Sequence, residues 1–132
     1  MNIYGMGTDI VSIKRIGCAL KKRTSFKKRI FTIPEINKCE KRKNKIECFA
    51  KRFAAKEALF KAIGSKNVLN FKEVEIKNNS QGAPIINIFG NSLKKLKKKF
   101  KNQKFKIHLS LSDDKPWAVA TVIVFLKKRD EK

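Results

Sequence analysis

Phe49-Ala50-Lys51-Arg52-Phe53-Ala54-Ala55-Lys56-Glu57-Ala58-Leu59-Phe60-Lys61-Ala62-Ile63-Gly64 decides the fold. The stretch has no proline, and its one glycine closes it. Its Ala, Lys, Phe and Leu content predicts one long helix, with Gly64 as a natural stop. At about 100° per residue, Phe49, Phe53, Phe60 and Ile63 fall on one narrow stripe that should enter the core. Ala50, Ala54, Ala55, Ala58 and Ala62 keep much of the remaining surface small, so other elements can approach closely. Charges interrupt this pattern. Lys56 lies within the aromatic stripe, Glu57 lies at its edge, and Lys61 follows Glu57 by one turn. Two readings are open. One is an ordinary Glu-to-Lys helix pair, with Lys56 snorkelling past the phenyl rings. The other is a carboxylate and two ammoniums held at a pocket wall, which suits a metal–phosphate site.

The chain has 132 residues, enough for one domain with a modest core. We expect that domain over residues 1–126 and a basic tail over 127–132. The formal charge is +22, a field that attracts nucleic acid, anionic lipid, phosphorylated ligands or an acidic protein. Lysine makes up most of it, and nucleic-acid readers lean more on arginine for bidentate contacts. Cys18, Cys39 and Cys48 are odd in number and contain no C-x-x-C pair. That argues against zinc and against a disulfide framework, and predicts reduced thiols packing as small apolar groups in a cytoplasmic protein. No signal-peptide pattern opens the chain. The longest apolar run is too short to span a membrane.

Ile3 to Val11 reads as a strand. Ile3, Gly5, Gly7, Asp9 and Val11 would share a face, leaving Asp9 among small and apolar neighbours. Alternatively Asp9 is a turn or cap residue before the next helix. That helix carries Ile13, Ile16 and Leu20 on one side, with Lys14, Arg15, Lys21, Lys22 and Arg23 on the other, and Ser12 as cap. Phe26 to Phe31 reads as a short helical turn, and Thr32 to Glu35 as a capping box opening another helix. Asn37 to Lys45 is a solvated helix end or a loop. Phe71 to Lys77 and Ile85 to Phe89 read as a hairpin around a turn cluster ending in Gly82-Ala83-Pro84. Ser92 to Phe100 has helical spacing with lysines outward. Lys106 to Ser112 and Trp117 to Leu126 read as a second hairpin. The expected class is α+β, an antiparallel sheet packed around one long helix.

Gly5-Met6-Gly7-Thr8-Asp9-Ile10-Val11 and Arg52-Phe53-Ala54-Ala55-Lys56-Glu57-Ala58, taken together, resemble holo-acyl-carrier-protein synthases, the small 4′-phosphopantetheinyl transferases. The likeness continues in order through Ile13-Lys14-Arg15-Ile16, Lys61-Ala62-Ile63-Gly64, Gly82-Ala83-Pro84, His108-Leu109-Ser110-Leu111-Ser112 and Ala118-Val119-Ala120-Thr121. It implies transfer of the phosphopantetheine arm of coenzyme A to a serine of apo-acyl carrier protein, for fatty acid biosynthesis. It also implies a magnesium requirement, with Asp9 and Glu57 at the metal-ligand positions and Lys61 near the phosphates. Magnesium commonly takes one or two carboxylates plus phosphates and water, so the pair is chemically apt. Arg52, Lys56, Gly64, His108 and Ser112 match segments that shape the coenzyme site. The basic helix, Arg15 above all, would face the acidic carrier protein. The likeness implies a homotrimer with active sites between subunits.

Two departures stand out. Many relatives have a basic residue at Ala83, and many have His or Glu where this chain has Asp113 and Asp114. The competing reading is a basic nucleic-acid-binding domain without catalysis. It accounts for the charge but not for the two motifs. A transferase serving peptide or polyketide carriers is disfavoured by length, since such relatives are usually about twice as long as this chain.

Overall fold

The computed structural model describes residues 1–23, 25–65 and 67–128. The elements run β1 (Asn2–Ser12), α1 (Ile13–Lys22), α2 (Phe26–Ile30), α3 (Ile33–Glu40), α4 (Lys45–Ile63), a 3₁₀ turn (Phe71–Glu73), β2 (Val74–Asn78), β3 (Pro84–Ile88), α5 (Gly90–Lys99), β4 (Phe105–Asp114) and β5 (Trp117–Leu126). β1, β5 and β4 form an antiparallel sheet with β5 in the middle, and β2 and β3 form a separate hairpin. The fold is α+β, as the patterning predicts. Of the basic tail expected at 127–132, residues 129–132 lie outside the described residues.

Local chemistry explains most boundaries. Ser12 Oγ accepts from Arg15 N at 3.3 Å and caps α1. Thr32 and Glu35 form the expected capping box of α3. Gly64 stops α4 at φ 75°, a left-handed conformation that glycine adopts without a Cβ clash, and its N–H reaches Phe60 O at 3.0 Å. α4 begins at Lys45, ahead of the aromatic run, because Ile46 and Cys48 extend its inward face against α1 and α3. The segment left open as helix end or loop therefore divides between α3, a short turn and α4.

α4 lies across β1 and β5, and two glycines set how closely. A Cβ on Gly7 would sit 2.0 Å from Ala58 O, and one on Gly5 would sit 2.2 Å from Ala62 O. No side chain fits there. The β1–β5 register shifts between Ile3 and Gly5. That irregularity turns Ile3 into solvent, at 63% exposed, and corrects its expected place on the Gly5–Asp9 face. Gly5, Gly7 and Asp9 turn toward α4, while Met6, Thr8 and Ile10 turn outward.

Two apolar clusters flank α4. Ala54, Ala55, Ala58, Leu59 and Ile63 meet β5 and the β2–β3 hairpin, whereas Cys48, Phe49 and Ala50 meet α1, α2 and α3. Of the predicted stripe, Phe49 and Ile63 are fully buried. Phe53 and Phe60 are half-buried, each packed against Phe71. Cys39 and Cys48 are joined by a disulfide between the end of α3 and the start of α4, with Cα atoms 5.5 Å apart. This corrects the expectation of reduced thiols. The helical hairpin brings together two cysteines that sequence spacing alone did not pair, and Cys18 remains the free one.

Gly7→Ala should force β1 off α4. We expect a loss of about 3 kcal/mol, read as a lowered urea midpoint with an unchanged slope.

Candidate active site

Asp9 sits in mid-strand opposite Ala120, not at a helix cap; Ser12 fills that role. Its side chain is 14% exposed. Glu57 is half-buried on the face of α4 that meets β1. Burial pushes the Glu57 carboxyl above the usual range, and the Asp9 charge adds to that, with Lys61 opposing. The two carboxylates thus act on one another across the β1–α4 seam. Lys61 Nζ donates to Asp9 Oδ1 and to Thr8 O, each at 3.0 Å. The intrahelical Glu57–Lys61 pair therefore gives way to a bridge between α4 and β1. An ammonium has three N–H donors, and these bonds use two of them. Lys61 is also the exposed member of the pair, at 54%, so its remaining donor can reach an anion.

The donor set fits a magnesium–phosphate site. Among the described residues no cluster of three or more His, Cys, Asp or Glu offers a protein-only cage. Asp9 and Glu57 offer two hard oxygen donors at a partly open surface, where phosphate and water can complete an octahedron.

Other expected site residues lie elsewhere. Lys56 is fully buried and neither snorkels nor lines a cleft. It pairs with Glu35 at 2.7 Å and donates to Ile30 O and Phe71 O, so its assignment as a coenzyme contact is corrected to an interior one. Arg52 is 5% exposed. Its Nη1 donates to Cys48 O at 3.3 Å and approaches Cys48 Sγ at 3.0 Å. Its buried Nε has no partner among the described residues. Arg42 and Lys38 share this positive neighbourhood; burial first, and then the Arg42 charge among others, disfavours the Arg52 guanidinium and the Lys38 ammonium. Gly64 acts as the helix stop. His108 and Ser112 are exposed on β4, on the sheet face opposite α4, with His108 edge-on to Phe125. Within one chain they do not meet Asp9 and Glu57. Lys14, Arg15, Lys21, Lys22 and Arg23 are all exposed on or just after α1.

A cleft of about 410 Å³ opens beside this basic helix, lined by Ile10, Val11, Ser12, Arg15, Ile16, Phe53 and Trp117. The sequence reading did not anticipate it. Trp117, 47% exposed at a strand start, was the available signal.

The family model described as the 4′-phosphopantetheinyl transferase superfamily matches residues 5–122. The holo-[acyl-carrier-protein] synthase of Zymomonas mobilis is 44% identical over 92% of this chain and 96% of its own length. That of Pelagibacter ubique is 43% identical over 94% and 98%. The chain belongs to the 4′-phosphopantetheinyl transferase superfamily. Within it, the chain falls in the small, bacterial-type holo-[acyl-carrier-protein] synthase branch. The solved synthase of Neisseria meningitidis superposes with a TM-score of 0.79 at 34% identity, covering 96% of this chain and 99% of that one. The Bacillus anthracis synthase, solved in complex with CoA (3′,5′-ADP), gives 0.75 at 34% identity, covering 94% and 97%. The G-x-G-x-D strand and the K-E-A helix that carried the resemblance to this superfamily are thus the two elements that meet at Asp9 and Glu57.

Glu57 binds its proton more tightly folded than unfolded, so its ionised form opposes folding above the folded pKa, and that penalty vanishes below the unfolded pKa. Glu57→Gln should therefore stabilise the metal-free protein at neutral pH, by less than about 1 kcal/mol after solvent screening. The gain should disappear as pH falls below about 4, in melting curves recorded with chelator.

Proposed function

We propose that this chain moves the 4′-phosphopantetheine arm of coenzyme A onto a serine of apo-acyl carrier protein, releasing adenosine 3′,5′-bisphosphate, with Asp9 and Glu57 as the magnesium ligands. The observation that carries this reading is the meeting of Asp9, Glu57 and Lys61 at one seam. Bound there, magnesium would offset the negative charge that grows on the phosphate oxygens as the pyrophosphate linkage breaks. Asp9 is held in place by Lys61 and Glu57 by its rigid helix, so both carboxylates are oriented before the substrate arrives. Lys61 presents its free N–H to the leaving bisphosphate as a compact point charge.

The outer sheet face supports assembly of several copies. Met6 is 61% exposed and Ile10 57%, beside half-buried Val119, Ile123 and Phe125. The hydroxyls of Thr8, Thr121 and Ser110 divide these into two exposed apolar patches, which favour an association surface. His108 and Ser112 sit on the same face. They reach a metal pair only by crossing to another copy, which fits a homotrimer with sites at subunit boundaries. No helix among the described residues is long and apolar enough to cross a membrane. Coenzyme A and an acidic carrier are both water-soluble substrates, and a cytoplasmic setting suits them.

Mass spectrometry of apo-acyl carrier protein after incubation with this chain, coenzyme A and magnesium should show the added arm. Asp9→Asn and Glu57→Gln should fold yet lose at least about 100-fold in turnover; full turnover in either removes that residue from the metal pair. Binding to random DNA without arm transfer would instead favour the nucleic-acid reading. Exposed basic residues on α1 should steer the acidic carrier, so its KM should rise with ionic strength. A KM independent of salt would count against that docking face.

A further inference from the structure

We propose that the buried Glu35–Lys56 ion pair is a positioning device for Glu57, setting the rotation of α4 so that the Glu57 and Asp9 carboxylates face one cation. The proposal rests on the reading of Asp9 and Glu57 as the magnesium pair. Lys56 and Glu57 are consecutive on α4, about 100° apart around its axis. Glu57 looks toward β1, whereas Lys56 points away, into the space between α2, α3 and the 3₁₀ turn.

All three donors of the Lys56 ammonium are engaged there: with Ile30 O at 2.7 Å, Glu35 Oε1 at 2.7 Å and Phe71 O at 3.0 Å. Glu35 is anchored in turn. Its Oε1 also accepts from Thr32 N at 2.8 Å, and its Oε2 accepts from Ile76 N at 2.8 Å. Apart from the pair itself, every partner is a main-chain group. The network therefore fixes the helix against α2, α3, the 3₁₀ turn and β2, with no flexible side chain in between. Lys56 also lies over the Phe31 ring, 5.5 Å from its centroid.

Apolar residues of similar volume could replace the two charges but would leave the main-chain groups of Ile30, Thr32, Phe71 and Ile76 without these partners. What they lack is direction. The Glu57 carboxylate is carried about 5–6 Å from the helix axis, so a rotation of about 15° would move it by about 1.5 Å. Magnesium holds its oxygen ligands at about 2.0–2.1 Å and tolerates little deviation from an octahedron. A helix free to roll would therefore keep its fold and lose its ion. Elsewhere on α4, Lys61 bonds to Asp9, Lys51 pairs with Asp113 at 3.2 Å and Ile63 O accepts from Tyr4 OH at 3.3 Å, and none of these bonds is fully buried. The ion pair is thus the one fully buried directional constraint at this turn of the helix among the described residues.

The test uses the double variant Glu35→Gln/Lys56→Met. It removes both charges together; the Gln oxygen accepts from one of Thr32 N and Ile76 N, while the other N–H and the carbonyls of Ile30 and Phe71 lose their partners. Manganese, as a paramagnetic probe, is titrated with coenzyme A present, and bound ion is read by electron paramagnetic resonance. Thermal melting is recorded in parallel. We expect a cooperative melt, lowered by the loss of those main-chain bonds, and a manganese dissociation constant raised about tenfold. The KM for the carrier should stay within twofold, because α1 is untouched. Wild-type manganese affinity in the folded double variant overturns the positioning role. If that variant does not fold, Glu35→Gln alone replaces it. That variant keeps the Lys56 ammonium with its two carbonyl acceptors, and a loss of about threefold in affinity is expected; no loss overturns the proposal. Glu57→Gln is the control for the underlying reading. Loss of the bound manganese in Glu57→Gln, with no change in the double variant, sinks only the positioning role. Equal uptake by wild type and Glu57→Gln sinks the metal assignment, and the positioning role with it.

Discussion

The closeness of β1 to α4 is the constraint on which the rest depends. Ala58 O and Ala62 O occupy the positions that Cβ atoms on Gly7 and Gly5 would take. Backbone thus packs on backbone, and the next residue facing the helix along β1 is Asp9. A carboxylate of ordinary length on the strand then lies near one of ordinary length on the helix. Wider packing would leave Asp9 a solvated strand residue and Glu57 half of a surface ion pair. The small residues of α4 serve the same end, since Ala54, Ala55, Ala58 and Ala62 keep the helix surface low along its whole contact with the sheet.

The electrostatics of the site run against those of the molecule. A chain of net charge +22 brings two of its few carboxylates near enough to act on one another at one seam, with Glu57 pushed toward its neutral form by burial and by Asp9. Such an arrangement costs stability in the empty protein and is relieved by a cation. Lys61 relieves part of it from Asp9's side. A second acid–base pair, Glu35 with Lys56, is handled in the opposite way. It is removed from solvent and saturated with main-chain hydrogen bonds, so it holds the scaffold and takes no ligand.

Much of this was legible in the sequence, for identifiable reasons. The long helix, its Gly64 stop, the Thr32–Glu35 capping box and the β4–β5 hairpin follow from local periodicity and capping chemistry, which need no tertiary partner. Asp9 stood out because a carboxylate between glycines and apolar residues has few structural uses. Long-range pairing was not legible. Whether Lys56 snorkels or is buried depends on Glu35, twenty-one residues away in sequence. Which acid Lys61 chooses depends on a strand at the other end of the chain. The Cys39–Cys48 bond depends on how two helices pack. His108 and Ser112 were tied to the site by resemblance alone; strand alternation puts them on the face away from α4.

The same distinction runs through the functional account. Membership of the phosphopantetheinyl transferase superfamily follows from nearly the whole chain, whereas the metal assignment rests on two side chains meeting across one seam. Anomalous diffraction from crystals grown with manganese and coenzyme A tests that meeting most directly. The account predicts one manganese peak between the Asp9 and Glu57 carboxylates, in contact with a phosphate oxygen of the coenzyme. A peak bound by other residues, with those two carboxylates uncoordinated, would contradict it.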